Sequence, residues 1–186
     1  RQACAQSQSW RASGLADLTI AVNLSGRQLR ALDLVERVTR VLQETGLPAE
    51  RLKLELTESM IMDQREQALE RLRALKALGV RLSIDDFGTG YSSLAYLKRL
   101  PIDELKIDRD FVRDIPEDSS DMEIAATIIA MARNLRLNVI AEGVETQEQC
   151  DFLTRQGCMA GQGYLFGRPL PAEDFGPMLG GKQDRR

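Results

Sequence analysis

Along these 186 residues a short apolar run gives way, again and again, to a stretch whose apolar residues recur at helical spacing. Strands separated by helices cannot pair as tight hairpins; they pair through crossovers and make a parallel sheet. The expected strands are 18–24, 52–56, 80–84, 104–107, 138–141 and 160–166. Between them the spacing predicts a helix at 28–45, with Leu29, Leu32, Val35, Val38 and Leu42 on one face and Gly46 and Pro48 as its stop. Further helices are expected at 65–78, closed by Gly79, at about 93–100, ended by Pro101, at 122–135, and near 147–156, ended by Gly157. Residues 2–12 read as a helix with no cap before it, as though it began upstream. This α/β rhythm suits a closed (β/α) barrel, which normally has about eight units. The count falls short, so the expected barrel is incomplete, or part of it lies outside these residues. An open doubly wound sheet is the second choice, but no Gly-x-Gly-x-x-Gly follows the first strand. One domain over 1–179 is expected, with a frayed tail at 180–186.

Composition removes several function classes. A net charge of −3 with mixed signs offers no basic face for a nucleic-acid polymer. No apolar run approaches the ~20 residues of a membrane span, and no signal-peptide pattern opens the chain. Cys4, Cys150 and Cys158 lack any Cys-x-x-Cys spacing and read as free thiols of a reducing compartment, hence a cytoplasmic placement, with a membrane tether elsewhere in a parent protein still compatible. The chain has no histidine. A metal site built from carboxylate, amide and water ligands suits Mg²⁺ or Mn²⁺ rather than zinc, copper or non-haem iron.

The segment Ser83-Ile84-Asp85-Asp86-Phe87-Gly88-Thr89-Gly90-Tyr91-Ser92-Ser93-Leu94 is the richest in chemistry. Neighbouring residues on a strand point to opposite faces, so two adjacent acids share one site only where the strand ends and the backbone bends. Glycines permit that bend, and Ser92 and Ser93 signal a new helix. Two close carboxylates repel and are costly to desolvate, which a divalent cation relieves; the plainer alternative makes Asp85 and Asp86 turn and cap residues. Polar residues also end the other strands: Asn23, then Glu55 with Glu58, Lys106 with Asp108, Glu142 with Glu145, and Gln162. The C-terminal ends of parallel strands are where barrels and open sheets place their sites. Lys106 stands in an apolar run, where an unpaired ammonium is costly unless it faces acids such as Asp85 or Glu142. Glu58 and Glu145 read equally well as caps of the helices that follow them.

In order, the chain carries Asn23-Leu24-Ser25, Glu55-Leu56-Thr57-Glu58, Asp85-Asp86-Phe87-Gly88-Thr89-Gly90, Leu105-Lys106-Ile107-Asp108, Ala141-Glu142-Gly143-Val144-Glu145 and Gly161-Gln162-Gly163-Tyr164. It closely resembles the EAL domain family, bacterial phosphodiesterases of cyclic di-GMP, from near residue 1 to about residue 179. The resemblance implies a modified TIM-like barrel that hydrolyses cyclic di-GMP to linear pGpG with two Mg²⁺ or Mn²⁺ ions. It implies metal ligation by Asn23, Glu55, Asp85 and Asp86, and catalytic roles for Lys106, Glu142 and Gln162. Glu58 would anchor the loop at 87–93, and Glu145 would support the substrate side of the pocket. A homodimer formed through the barrel and upstream sensory or GGDEF-type domains are the implied partners. The Glu-Ala-Leu tripeptide that names the family is absent; it would lie upstream of Arg1, with the first strand, one metal-ligating glutamate and a phosphate-contacting arginine. The family also contains inactive cyclic di-GMP receptors, usually with eroded ligands, and that is the alternative reading. A pure interaction domain leaves the acid-rich strand ends without a role. A protein-kinase reading of Asp86-Phe87-Gly88 fails, since no His-Arg-Asp segment precedes it.

Overall fold

The computed structural model describes residues 1–15, 18–62, 65–88 and 94–180. Among them run the strands β1 (Ile20–Asn23), β2 (Leu52–Thr57), β3 (Arg81–Phe87), β4 (Glu104–Ile107), β5 (Asn138–Glu142) and β6 (Ala160–Gln162). They form one sheet in the order β1-β2-β3-β4-β5-β6, and every pair is parallel. Sequential order with parallel pairing means that each crossover moves one strand along, as in a (β/α) barrel. The six strands are an arc of such a barrel.

The helices are α1 (Gln2–Ala12), α2 (Gly26–Arg30), α3 (Leu34–Thr45), α4 (Glu58–Met62), α5 (Arg65–Ala77), α6 (Leu94–Leu97), α7 (Ser119–Asn134), α8 (Gln147–Gln156) and α9 (Ala172–Gly180). The alternation of side chains along each strand sorts the residues. On β2, Leu52, Leu54 and Leu56 are buried while Lys53, Glu55 and Thr57 on the opposite face are only half-buried. The apolar face continues through Leu82 and Ile84, then Leu105 and Ile107, in one core with Leu69, Leu72 and Leu75 of α5 and Ala125, Ile129 and Ala132 of α7. Each such leucine or isoleucine contributes about 1.5–3 kcal/mol when fully buried. The other face of the sheet is therefore left to carry charge. Outside the sheet, α1 and α9 meet through Trp10 and Phe175, whose ring centroids are 5.6 Å apart.

Several elements depart from expectation. The single helix expected at 28–45 is two. A capping box between Ser25 and Gln28 starts α2 early, and Ala31 turns extended and ends it, leaving Leu32 94% exposed and not on a shared apolar face. The last strand stops at Gln162 rather than at residue 166. Gly163 there lies so close to the Val144 backbone that a Cβ would collide with the Val144 carbonyl oxygen, and the backbone turns, with Phe166 N–H donating to the Gly163 carbonyl. The helix expected at 122–135 starts at Ser119, because the Asp118 carboxylate accepts from the Ser120 and Asp121 amides. Residue 180 belongs to α9, and 181–186, like the Thr89, Gly90, Tyr91, Ser92 and Ser93 signals, lie outside the described residues. The three cysteines are free, with Cys4 and Cys158 buried. No helix among the described residues is long and apolar enough to cross a membrane.

Candidate active site

Two adjacent acids share one site here without the strand ending. Strand β3 runs on through Phe87, three residues past its expected end at Ile84. Ile84 pairs with Leu105 and Phe87 with Ile107, so β3 carries one residue more than β4 over the same stretch. That is a bulge, which re-aims side chains beside a site. At its centre Asp86 adopts φ +54°, a left-handed conformation that aspartate and asparagine tolerate better than most residues. The combination brings Asp85 and Asp86 to the same side. Asp85, Asp86 and Glu142 each offer a carboxylate oxygen within 4.8 Å of one another, and all three are half-buried.

Lys106 supplies the positive charge among them. On β4 both faces are buried, and Lys106 itself is 3% exposed. Its Nζ lies 2.6 Å from Glu142 Oε1, 2.9 Å from Asp85 Oδ1 and 3.3 Å from Glu55 Oε1. Strands β2, β3, β4 and β5 therefore converge on one ammonium. Burial pulls Lys106 toward its neutral form, but the contacts with Glu142 and Asp85 and the charges of Glu142 and Glu55 outweigh it. Its pKa is held above the ordinary lysine value. Burial pushes Glu142 up; Lys106 opposes this, and the charges of Asp85 and Asp86 add to it. Asp86 is also raised, by burial first and then by the charges of Asp85 and Asp108, against the pull of Lys106. Burial is the first cause for both acids, and the neighbouring carboxylates add to it against the pull of Lys106.

The remaining strand-end residues fall around this centre. Asn23, the last residue of β1, is in register with Glu55, and Gln162, the last of β6, is in register with Glu142. Both are exposed on the outermost strands. Glu58 is buried and does not cap α4. Its Oε2 accepts from the Gly88 amide at 3.3 Å, tying the start of α4 to the turn after β3, and its Oε1 is buried with no hydrogen-bond partner among the described residues. Glu145 is exposed and is not the cap of α8 either, because Thr146 and Gln149 form that capping box. Asp108 bonds the Asp110 amide at 2.8 Å while its charge bears on Asp86. Sequence reasoning placed Asp108 at a strand end without a role, and it missed Lys53 and Glu104 altogether. The overlooked signal was spacing: each stands two residues before a site residue, on the same strand face.

The raised pKa of Asp86 predicts that Asp86→Asn stabilises the metal-free protein. Asparagine keeps the left-handed backbone and removes one of the repelling charges. An acid whose folded pKa is raised costs nothing below its unfolded value and destabilises as pH rises through its folded value. The gain should accordingly be absent near pH 4 and appear at neutral pH, at about 0.5–2 kcal/mol. Urea unfolding of both forms in EDTA across that range checks it; equal stability at neutral pH would mean that Asp86 is not under electrostatic strain.

A family model described as EAL domain matches residues 1–169. The bifunctional diguanylate cyclase/cyclic di-GMP phosphodiesterase MucR of Pseudomonas aeruginosa is 51% identical over 94% of this chain and 25% of its own length. A MucR phosphodiesterase structure in complex with c-di-GMP superposes with a TM-score of 0.91 at 50% identity, covering 94% of this chain and 70% of that one. The cyclic di-GMP phosphodiesterase NbdA of the same organism is 52% identical over 92% of this chain and 22% of its length. A Klebsiella pneumoniae BlrP1 complex with manganese and cyclic di-GMP has a TM-score of 0.80 at 33% identity, covering 90% of this chain and 43% of that one. The chain thus spans about a quarter of the length of the curated relatives it matches.

Proposed function

This chain belongs to the EAL domain family, and we propose that it is the catalytic region of a phosphodiesterase that hydrolyses cyclic di-GMP to linear pGpG with two Mg²⁺ or Mn²⁺ ions. The observation that carries the reading is the meeting of Asp85, Asp86 and Glu142 within 4.8 Å, at the C-terminal ends of parallel strands. The donor set fits the metal. The chain has no histidine, its carboxylates are hard oxygen donors, and Asp85, Asp86 and Glu142 bring three of them together beside Lys106. Asp85, Asp86, Glu55 and Asn23 would hold the ions, which when bound neutralise the phosphodiester and lower the pKa of a water.

The chain's own groups divide the remaining work. Lys106 stays protonated, so it serves as a fixed cation and hydrogen-bond donor and not as a base. Glu142, whose protonated form burial favours, is suited to take the proton of the attacking water. Its neighbour in register, Gln162, offers an amide N–H to a phosphate oxygen from an exposed strand end. Glu58 holds the turn at Gly88 against α4, which keeps Asp85 and Asp86 on the bulge. Glu145, exposed beyond β5, belongs to the substrate side. A homodimer through the barrel and linked sensory or GGDEF-type domains complete the proposal.

The test is to incubate the full-length protein with cyclic di-GMP and Mn²⁺ and follow pGpG by chromatography. Accumulation of pGpG that EDTA stops supports the reading. Tight binding of cyclic di-GMP with no pGpG overturns it in favour of a receptor.

A further inference from the structure

A second buried ionic layer lies beneath Lys106. Lys53 Nζ donates to both oxygens of Glu104, at 2.7 and 2.9 Å, and Ser83 Oγ donates to Glu104 Oε1 at 3.1 Å. Glu104 is 8% exposed and Ser83 fully buried. The register places these residues on the face that carries the acids, because Ser83 pairs with both Glu55 and Glu104. The inner layers of (β/α) barrels are dominated by branched apolar residues. Stability does not account for the exception, since replacing a buried ion pair with apolar residues of similar volume is often neutral or stabilising.

Position accounts for it better. Glu104 and Lys106 stand two apart on β4, facing the same way, so Glu104 is a fourth carboxylate within reach of the Lys106 side chain. Three other carboxylates, those of Glu142, Asp85 and Glu55, already lie within 3.3 Å of the Lys106 ammonium. Glu104 does not compete, because Lys53 and Ser83 already occupy its oxygens. Lys53 in turn stands two residues before Glu55. Glu55 and Glu104 thus stand level with each other on either side of Ser83, with Lys53 one step below on β2 and Lys106 one step above on β4.

We propose that the Lys53–Glu104 pair is a positioning device that keeps Lys106 on Glu142, Asp85 and Glu55 by giving Glu104, the acid next to Lys106 on its own strand face, a cation of its own. Lys53 and Glu104 are positioning residues and touch no reacting atom. Removing Lys53 leaves Glu104 buried and uncompensated, with Lys106 the cation best placed to answer it.

Crystal structures and kinetics of Lys53→Met, of the milder Lys53→Gln and of the double variant Lys53→Met/Glu104→Gln test this in the full-length protein. In Lys53→Met the Lys106 ammonium should leave Glu142 for Glu104. In the double variant, where no carboxylate remains below, it should return. The kinetic arm rests on the proposed cyclic di-GMP hydrolysis. There kcat should fall about tenfold to a hundredfold in Lys53→Met with KM little changed, since what is lost is the placing of a charge at the reacting centre. The double variant should recover most of that loss, and Lys53→Arg, which can still pair with Glu104, should lose little. Should Lys53→Met not fold, Lys53→Gln decides, with a smaller loss that Glu104→Gln reverses. Lys106 still seated on Glu142 in the single variants, with only a lowered Tm, would overturn the proposal. A wild-type protein that leaves cyclic di-GMP intact would sink the proposed function instead, and the crystal structures would still decide this one.

Discussion

Lys106→Met is expected to destabilise the metal-free protein by about 3–5 kcal/mol, the cost of leaving buried charge without its partner. The ammonium is buried among Glu142, Asp85 and Glu55 at 2.6–3.3 Å, so its loss sets three carboxylates against one another. A cation whose folded pKa is raised contributes fully below its unfolded value and loses that contribution only as pH rises through the folded one. The Lys106 contribution is therefore complete at neutral pH. Acid should shrink the deficit, because Glu142 and Asp86, already raised, would protonate first. Mn²⁺ should restore much of the lost stability, a ligand at a hundred times its Kd adding about 2.7 kcal/mol, while turnover stays lost. Thermal unfolding of wild type and variant, in EDTA and in Mn²⁺, reads out both effects. An unchanged metal-free Tm would show that Lys106 is not the counterion of the cluster.

Asp85→Asn is expected to abolish the proposed hydrolysis of cyclic di-GMP, by about a thousandfold or more, while leaving the fold intact. Asparagine is nearly isosteric, and the Thr57–Asp85 pairing is made by the backbone, so the sheet has no reason to change. What goes is the charge common to the whole site. Asp85 contacts Lys106 and raises both Asp86 and Glu142. Both neighbours should consequently titrate closer to ordinary carboxylates in the variant, and the affinity for Mn²⁺ should fall together with kcat. Circular dichroism and Mn²⁺ titration accompany the assay. Full activity in Asp85→Asn would remove the two-metal assignment.

Much of this was legible from local pattern. The strand–helix rhythm determined a parallel α/β sheet, because period-two apolar runs and helical periodicity are properties of neighbouring residues. The strand-end residues Glu55, Asp85, Lys106 and Glu142 could be picked out because a parallel sheet gathers its C-terminal ends at one side. The early stop after Gln162 was not visible, since it turns on the close approach of Gly163 to Val144, whereas the capping boxes Ser25-x-x-Gln28 and Thr146-x-x-Gln149 were local signals that went unread.

What tertiary structure alone decided is how the charges meet. Adjacent Asp85 and Asp86 seemed to require the end of a strand; a bulge against β4 and a left-handed Asp86 bring them together inside one. Both depend on pairing with residues some twenty positions away. The sequence left Lys106 with two acids as partners to choose from, and the fold supplies both and adds Glu55. Glu58 read equally as a helix cap or, from the resemblance, as the anchor of the loop at 87–93, and its carboxylate reaches the Gly88 amide at the start of that loop. Lys53 and Glu104 drew no reading at all, because no local pattern joins residues on β2 and β4. Only the register of the strand between them places both on the inner face, where burial makes the pairing of a charge obligatory.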